Sequence, residues 1–259
     1  MSFAFRLRSA SRAALKHLLI CLLVAAAVAA LVFGLWYPSP YGEMSGGQGL
    51  FWLIVVVDVV CGPLLTLVIY NPRKPRAELV RDIGLVVLIQ LAALGYGLHS
   101  LLQARPVWLA YEKDLFRVVS LPDLMPGTLE QAPPDLQALS LLGPKPLGVR
   151  LAQGTDADFL QNVQQSLAGN HPAFRPDRWV PYAEQAGQAA AAARPLAELQ
   201  SRYPDQSALI DQALRRSGRA ADALGFLPLA TEHPTDWVVL LDRSTGEPVG
   251  YLPLDGWAD

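Results

Sequence analysis

The stretch Leu18-Leu19-Ile20-Cys21-Leu22-Leu23-Val24-Ala25-Ala26-Ala27-Val28-Ala29-Ala30-Leu31-Val32-Phe33-Gly34-Leu35-Trp36 runs nineteen residues without a charge. At about 1.5 Å per residue a helix of this length reaches roughly 28 Å, close to the hydrocarbon thickness of a bilayer. Arg6, Arg8, Arg12 and Lys16 precede it, and Trp36 and Tyr37 end it where aromatic rings favour the membrane interface. A cleavable signal peptide has the same charge order but an apolar core of about 7–15 residues, so the length predicts an uncleaved signal-anchor. The segment fixes the class: this is a membrane protein.

Outward from it, two further runs have the same character. Leu50 to Tyr70 is interrupted only by Asp58 and Gly62-Pro63, and Ile83 to Leu102 contains Gln90, His99 and the pair Gly95 and Gly97. Residues 1–102 carry eight Lys/Arg and four Asp/Glu, whereas residues 103–259 carry thirteen and nineteen, a net of −6. The whole chain of 259 residues is 52% hydrophobic and 17% charged, against about 25% charged in ordinary soluble domains. That much apolar surface excludes intrinsic disorder. A formal net charge of −2 gives no electrostatic case for nucleic acid.

The expected organisation is a basic N-terminal tail over 1–17, three transmembrane α-helices within 18–102 (spans 18–36, 50–70 and 83–102), and an α+β domain over 103–259. Arg73, Lys74, Arg76 and Arg81 lie between the second and third runs, while the loop between the first two contains Glu43 and no Lys or Arg. Basic residues mark the untranslocated side, which predicts a cytoplasmic N-terminus and 71–82 loop and places 103–259 outside. Cys21 and Cys61 both fall in the spans, so the outer domain has no disulfide to form. Both are expected to pack as small apolar residues against neighbouring helices.

In the outer domain, Pro106–Glu112 and Leu115–Val119 flank a short polar break and predict a β-hairpin. Trp237–Asp242 and Pro248–Leu252 predict a second, with Gly246 suited to the turn between them. A further short strand is expected over 225–229. Helices are expected from Thr155 or Asp156 to Leu167 with Gly169 closing it, over Tyr182–Arg194, over Pro195–Arg202, and over Asp205–Ser217 with Gly218 at its end. The Pro- and Gly-rich segment 121–148 reads as loop. The two hairpins are expected to share one sheet.

Chemistry is sparse. His171 and His233 each adjoin a proline and read as solvated loop residues. There is no HExxH, Cys cluster, GxSxG, Walker or GxGxxG pattern. No metal, cofactor or catalytic residue is expected, and the chain is not read as an enzyme. The membrane half is more informative. Asp58 sits eight residues into its run, where an ionised carboxylate costs about 2.5–3.5 kcal/mol. Gly62 follows at i+4 on the same face, and Pro63 removes a donor and frees the carbonyl of Val59. Two readings stand: Asp58 pairs inside the bundle with Gln90 or His99, or Asp58, Gly62 and Pro63 form a notch that receives a partner helix. A single carboxylate in the spans disfavours an intramembrane aspartyl protease.

The stretch Val57-Asp58-Val59-Val60-Cys61-Gly62-Pro63-Leu64-Leu65-Thr66-Leu67-Val68, ending in Asn71-Pro72 and a basic loop, resembles the type IV pilin accessory proteins of the TfpX/TfpZ family. Phe33–Pro38, Leu91–Tyr96, Ala104–Val107 with Phe116–Val119, and the ending Asp236–Leu240 through Gly246 to Asp255 fit the same pattern. The resemblance implies a multi-pass protein of the bacterial inner membrane that assists pilin handling or pilus assembly by contacting the cognate pilin. It carries over no catalytic residues. The expected partners are a type IV pilin and the lipid bilayer, with any small-molecule ligand unknown. The rival readings are a membrane-anchored periplasmic ligand-sensing or other binding protein and, behind it, an unrecognised membrane enzyme, which would need a reactive cluster that the sequence does not show.

Overall fold

The computed structural model describes residues 3–157, 159–231 and 237–257, and the chain divides into two compact units, Met1–Ala104 and Arg105–Asp259. In the first unit, α1 spans Phe3–Leu31 and runs on through a π-helical turn, Val32–Trp36. The basic residues from Arg6 to Lys16 are therefore part of the same helix as the apolar run and not a separate tail. Nothing before Pro38 breaks a helix, and Ala, Leu, Arg and Lys all favour one. A short turn of helix, α2 (Tyr41–Met44), leads into α3 (Gly47–Ile69). The final helix of this unit, α4 (Arg76–Ala104), starts immediately after Pro75, seven residues before the apolar run itself. Glu78 in its first turn suits the helix dipole, and Lys74 clasps Glu78 at 3.1 Å and Asp82 at 2.6 Å.

Three helices among the described residues are long and apolar enough to cross a membrane: Ala4–Trp36, Gly47–Ile69 and Arg76–Ala104. Pro63 lies inside α3 without ending it. α3 packs against both α1 and α4. Where α4 runs out, the three are sealed together by Val32, Tyr37, Phe51 and Leu101, with Phe33 edge-on to Phe51. Tyr37, expected at the membrane interface, is instead 1% exposed, and its hydroxyl donates to the Leu101 carbonyl at 2.9 Å. A Cβ at Gly47 would fall 2.4 Å from the Tyr37 ring, so only glycine lets that ring seat.

The second unit is built on strands β1 (Pro106–Glu112), β2 (Leu115–Ser120), β3 (Lys145–Val149) and, after helix α5 (Phe159–Leu167), β4 (Trp179–Pro181). Helix α6 (Ala186–Ala192), the two-residue β5 (Arg194–Pro195), α7 (Leu196–Arg202) and α8 (Ser207–Ser217) follow. The chain then closes with β6 (Leu224–Ala230), β7 (Trp237–Asp242) and β8 (Pro248–Leu252). Among the described residues the strands form one mixed sheet in the order β4-β3-β1-β2-β6-β7-β8, with β5 added against β6. Both expected hairpins are present, antiparallel and in the one sheet, joined by a two-pair parallel seam of β2 on β6. Gly246 takes φ +76° in the second turn, and Gly218 ends α8 at φ +65°. The unit is α+β, as the sequence predicts.

Three local expectations change. The segment 121–148 is loop and 3-10 turn only as far as 144, because Lys145–Val149 pairs in parallel with β1. The predicted helix over Tyr182–Arg194 is broken: Tyr182–Glu184 is a 3-10 turn, α6 covers seven residues, and Arg194 turns extended to pair with Phe226. The helix expected from Pro195 begins one residue later, with Pro195 itself in β5. In each case a long-range strand partner overrides local propensity. The sheet carries two cores, one around Trp108, Leu147 and Trp179, the other around Leu199, Ile210, Phe226 and Leu240.

A groove between two membrane helices

α1 and α4 enclose a cavity of about 430 Å³ whose floor is α3. Ile20 and Val24 of α1 and Val87, Leu91 and Leu94 of α4 make its walls apolar. Lys16, His17 and Cys21 enter from α1, Asp58 and Thr66 from α3, and Gln90 from α4. The polar groups therefore gather on the floor, between apolar walls.

Gln90 organises that floor. Its Nε2 donates to the Asp58 backbone carbonyl and to Asp58 Oδ1, both at 3.0 Å, and lies 3.6 Å from Cys21 Sγ. Asp58 is thus paired inside the bundle with Gln90. His99, the other partner considered, is exposed nine positions further along α4. A Cβ at Gly62 would fall 2.2 Å from Gln90 Nε2, so the space that glycine leaves is taken by Gln90. Gly62 and Pro63 are buried beneath it and do not line the groove, whereas Asp58 does. Below them, His17 Nδ1 and Thr66 Oγ1 share a hydrogen bond of 2.6 Å, and Arg6 donates to the Val68 carbonyl at 3.2 Å. One polar atom remains over: Gln90 Oε1 is buried and makes no hydrogen bond among the described residues. A buried acceptor without a donor costs about 1–3 kcal/mol, so it is a standing demand for a donor at the groove floor.

The cysteines separate. Cys21 is 5% exposed against Gln90, as expected, but Cys61 faces outward, since one helical step from buried Gly62 turns it off the packed face. The sequence missed the roles of Lys16 and His17, which read only as flanking charge and polarity. Their signal was spacing: His17 and Cys21 are i, i+4 on one helical face, which continues to Val24.

In the second unit, His171 is half-buried beside Phe174 and not an exposed loop residue. Burial and the nearby Arg117 guanidinium hold its pKa below the ordinary histidine value. His233 lies outside the described residues. Among the described residues no group of three His, Cys, Asp or Glu side chains is placed to hold a metal. α5 is inverted relative to an ordinary surface helix: Asn162 is 4% exposed and accepts from buried Arg178 at 3.0 Å, while Leu160 and Leu167 are 80% and 85% exposed.

Fold and groove together define a multi-pass membrane protein with an appended α+β unit. The model of a family described as fimbrial assembly protein FimB matches residues 5–46, which cover most of α1 and all of α2. Over 229 residues, 88% of this chain and 89% of the relative, it is 35% identical to the fimbrial assembly protein of serogroup E1 from Dichelobacter nodosus. The serogroup I protein of the same organism matches to the same identity and extent. That of serogroups C1 and C2 is 44% identical over 116 residues, 45% of this chain and 88% of the relative. No solved structure matches the chain. The chain belongs to the fimbrial assembly protein family, in keeping with its resemblance to type IV pilin accessory proteins.

Proposed function

We propose that this protein assists pilus assembly by holding the membrane helix of a type IV pilin in the groove between α1 and α4. The observation that carries the reading is the groove itself: apolar walls fit an apolar helix, and a floor of Asp58 and Gln90 offers acceptors to a donor on that helix. Gly62 serves the site indirectly, because its missing side chain leaves the space through which Gln90 crosses to Asp58, and Pro63 is buried next to it. A second contact, to the pilin's globular part, falls to the second unit, where the exposed Leu160, Val163 and Leu167 of α5 form an apolar stripe at i, i+3, i+7. The relatives named for fimbrial assembly support the process, and the charge asymmetry of the loops supports an inner-membrane protein with its N-terminus cytoplasmic and its second unit periplasmic. The action is binding and positioning, without a catalytic step.

Photo-crosslinkers placed one at a time in living cells test this. Ile20 and Leu91 on the groove walls should capture pilin, whereas Leu23 and Leu88 should capture little. Capture from Leu23 or Leu88 but not from the groove walls would sink the groove as the helix site. Capture from α5 alone would move recognition to the second unit.

A further inference from the structure

We infer that the second unit carries a binding site for the carboxy terminus of a polypeptide, in a polar cavity of about 260 Å³ beside α5. The cavity gives a reason for the inversion of α5. Asn162 and Gln165 of that helix line the cavity together with Arg175 and Arg178 of the segment after it, while Leu160 and Leu167 stay exposed. A helix packed for stability alone buries its leucines. Placing amides and a guanidinium there instead costs free energy unless each is hydrogen-bonded. Every residue of the site belongs to the second unit.

The chemistry of the lining selects the ligand. Buried Arg178 donates from Nη2 to Asn162 Oδ1 at 3.0 Å, and Arg175 donates from Nη1 to Gln165 Oε1. The two amides thus brace two guanidiniums on one cavity, and guanidinium forks are suited to a carboxylate. Asp177, 3.6 Å from Arg178 Nε, is the one carboxylate on the lining. The cavity therefore keeps an excess positive charge, although residues 103–259 have a net of −6. That local excess favours an anion. Gln131, Gln161 and Asn170 add further amides to the lining. Each side-chain amide offers an acceptor carbonyl and N–H donors, the complement of a peptide group. A sugar acid fits less well, because sugar rings are bound on an open aromatic face. Phe174, the aromatic residue on the lining, has Arg117 over its ring at 5.6 Å and His171 packed against it. The volume is below the roughly 300–1,000 Å³ of sites for drug-sized molecules, which suits the end of a chain.

The test titrates the full chain in detergent, by calorimetry, with N-acetylated tripeptides whose last residue is varied, each as the free acid and as the C-terminal amide. At least one free acid should bind, and its amide should bind at least about tenfold more weakly, as expected for loss of a charge-assisted pair. Arg175→Gln should weaken that free acid by about tenfold too, whereas Arg150→Gln, outside this lining, should leave it unchanged. Gln161→Leu, at an exposed position, should weaken it by a smaller factor and serves as the test if Arg175→Gln does not fold. No binding by any free acid at millimolar concentration would overturn the site. So would equal binding of acid and amide, or full binding by the folded Arg175→Gln variant. Inorganic phosphate binding as tightly as the best free acid would overturn it as well, by showing an oxyanion site that does not read a peptide. Because the site does not involve the groove between α1 and α4, each of these results leaves the pilin-helix reading standing.

Discussion

Asp242 in the second unit and Gln90 in the membrane unit are partnered in opposite ways. In the second unit Asp242 is 2% exposed and fully engaged: it accepts from Ser244 and Thr245 in the turn after β7 and pairs with Arg219 at 3.2 Å. Arg178 and Asn162, 8% and 4% exposed, hold each other at 3.0 Å at the edge of a separate cavity in that unit. In the membrane unit Asp58, Gln90, His17 and Lys16 line a groove, and Gln90 Oε1 is left without a donor. A sealed, satisfied polar group fixes one conformation of its own chain. A polar group beside an open groove keeps hydrogen-bonding capacity that its own chain does not use. Buried polar groups thus close a turn in one unit and line an open groove in the other.

Four measurements would break or sharpen that contrast, beginning with the largest effect. Gly62→Leu drives a side chain into Gln90 and should cost about 1–3 kcal/mol by overpacking, read as reduced abundance in the membrane. Adding Gln90→Ala should restore part of that abundance by vacating the space. A double variant no more abundant than the single one would show that the clash at Gly62 is not with Gln90.

Asn162→Ala should cost about 2 kcal/mol, since it removes an acceptor from a buried guanidinium, and lower the midpoint of thermal unfolding of the second unit by about 4–8 °C. Pilin crosslinking from Ile20 should be unchanged in that variant at permissive temperature. A loss there would mean that the second unit's polar contacts also serve binding.

Ile20→Trp, which fills the groove from its wall, should leave stability within about 0.5 kcal/mol, because Ile20 is a surface position. Surface pili should nevertheless fall. Normal piliation with a Trp in the groove would remove the contrast, leaving the groove as a packing defect.

The smallest effect is on pH dependence. Hydrogen bonds from Ser244, aided by Arg219, hold the Asp242 carboxyl below the usual carboxylate range. A carboxylate depressed on folding contributes stability that is complete above its unfolded value, about 4, and is lost as pH falls through the folded value. His171 is depressed by burial, so its contribution is present above about 6.5 and declines below it. Melts of the full chain in detergent should therefore show a shallow decline starting below about pH 6.5 and a second below about 4. His171→Phe should abolish the first decline and leave the second.

The sequence by itself determined the three spans, both hairpins of the sheet, and the presence of a costly carboxylate at Asp58. Each of these rests on a local pattern: a charge-free run of bilayer length, two apolar strands across a short turn, a charge where hydrocarbon is expected. Even the choice of Gln90 as partner was within reach, as one of two candidates, because the polar residues in the spans are so few. What remained out of reach depends on partners distant in the chain. Lys145–Val149 is a strand because β1 lies beside it, and Arg194–Pro195 is extended because β6 does. Gly62 reads as an opening in one helix until α4 places Gln90 in it. Tyr37 reads as an interfacial ring until α3 and α4 close over it. The groove itself belongs to no single segment, since it is the space left where α1 and α4 both pack on α3, and only the tertiary arrangement creates it.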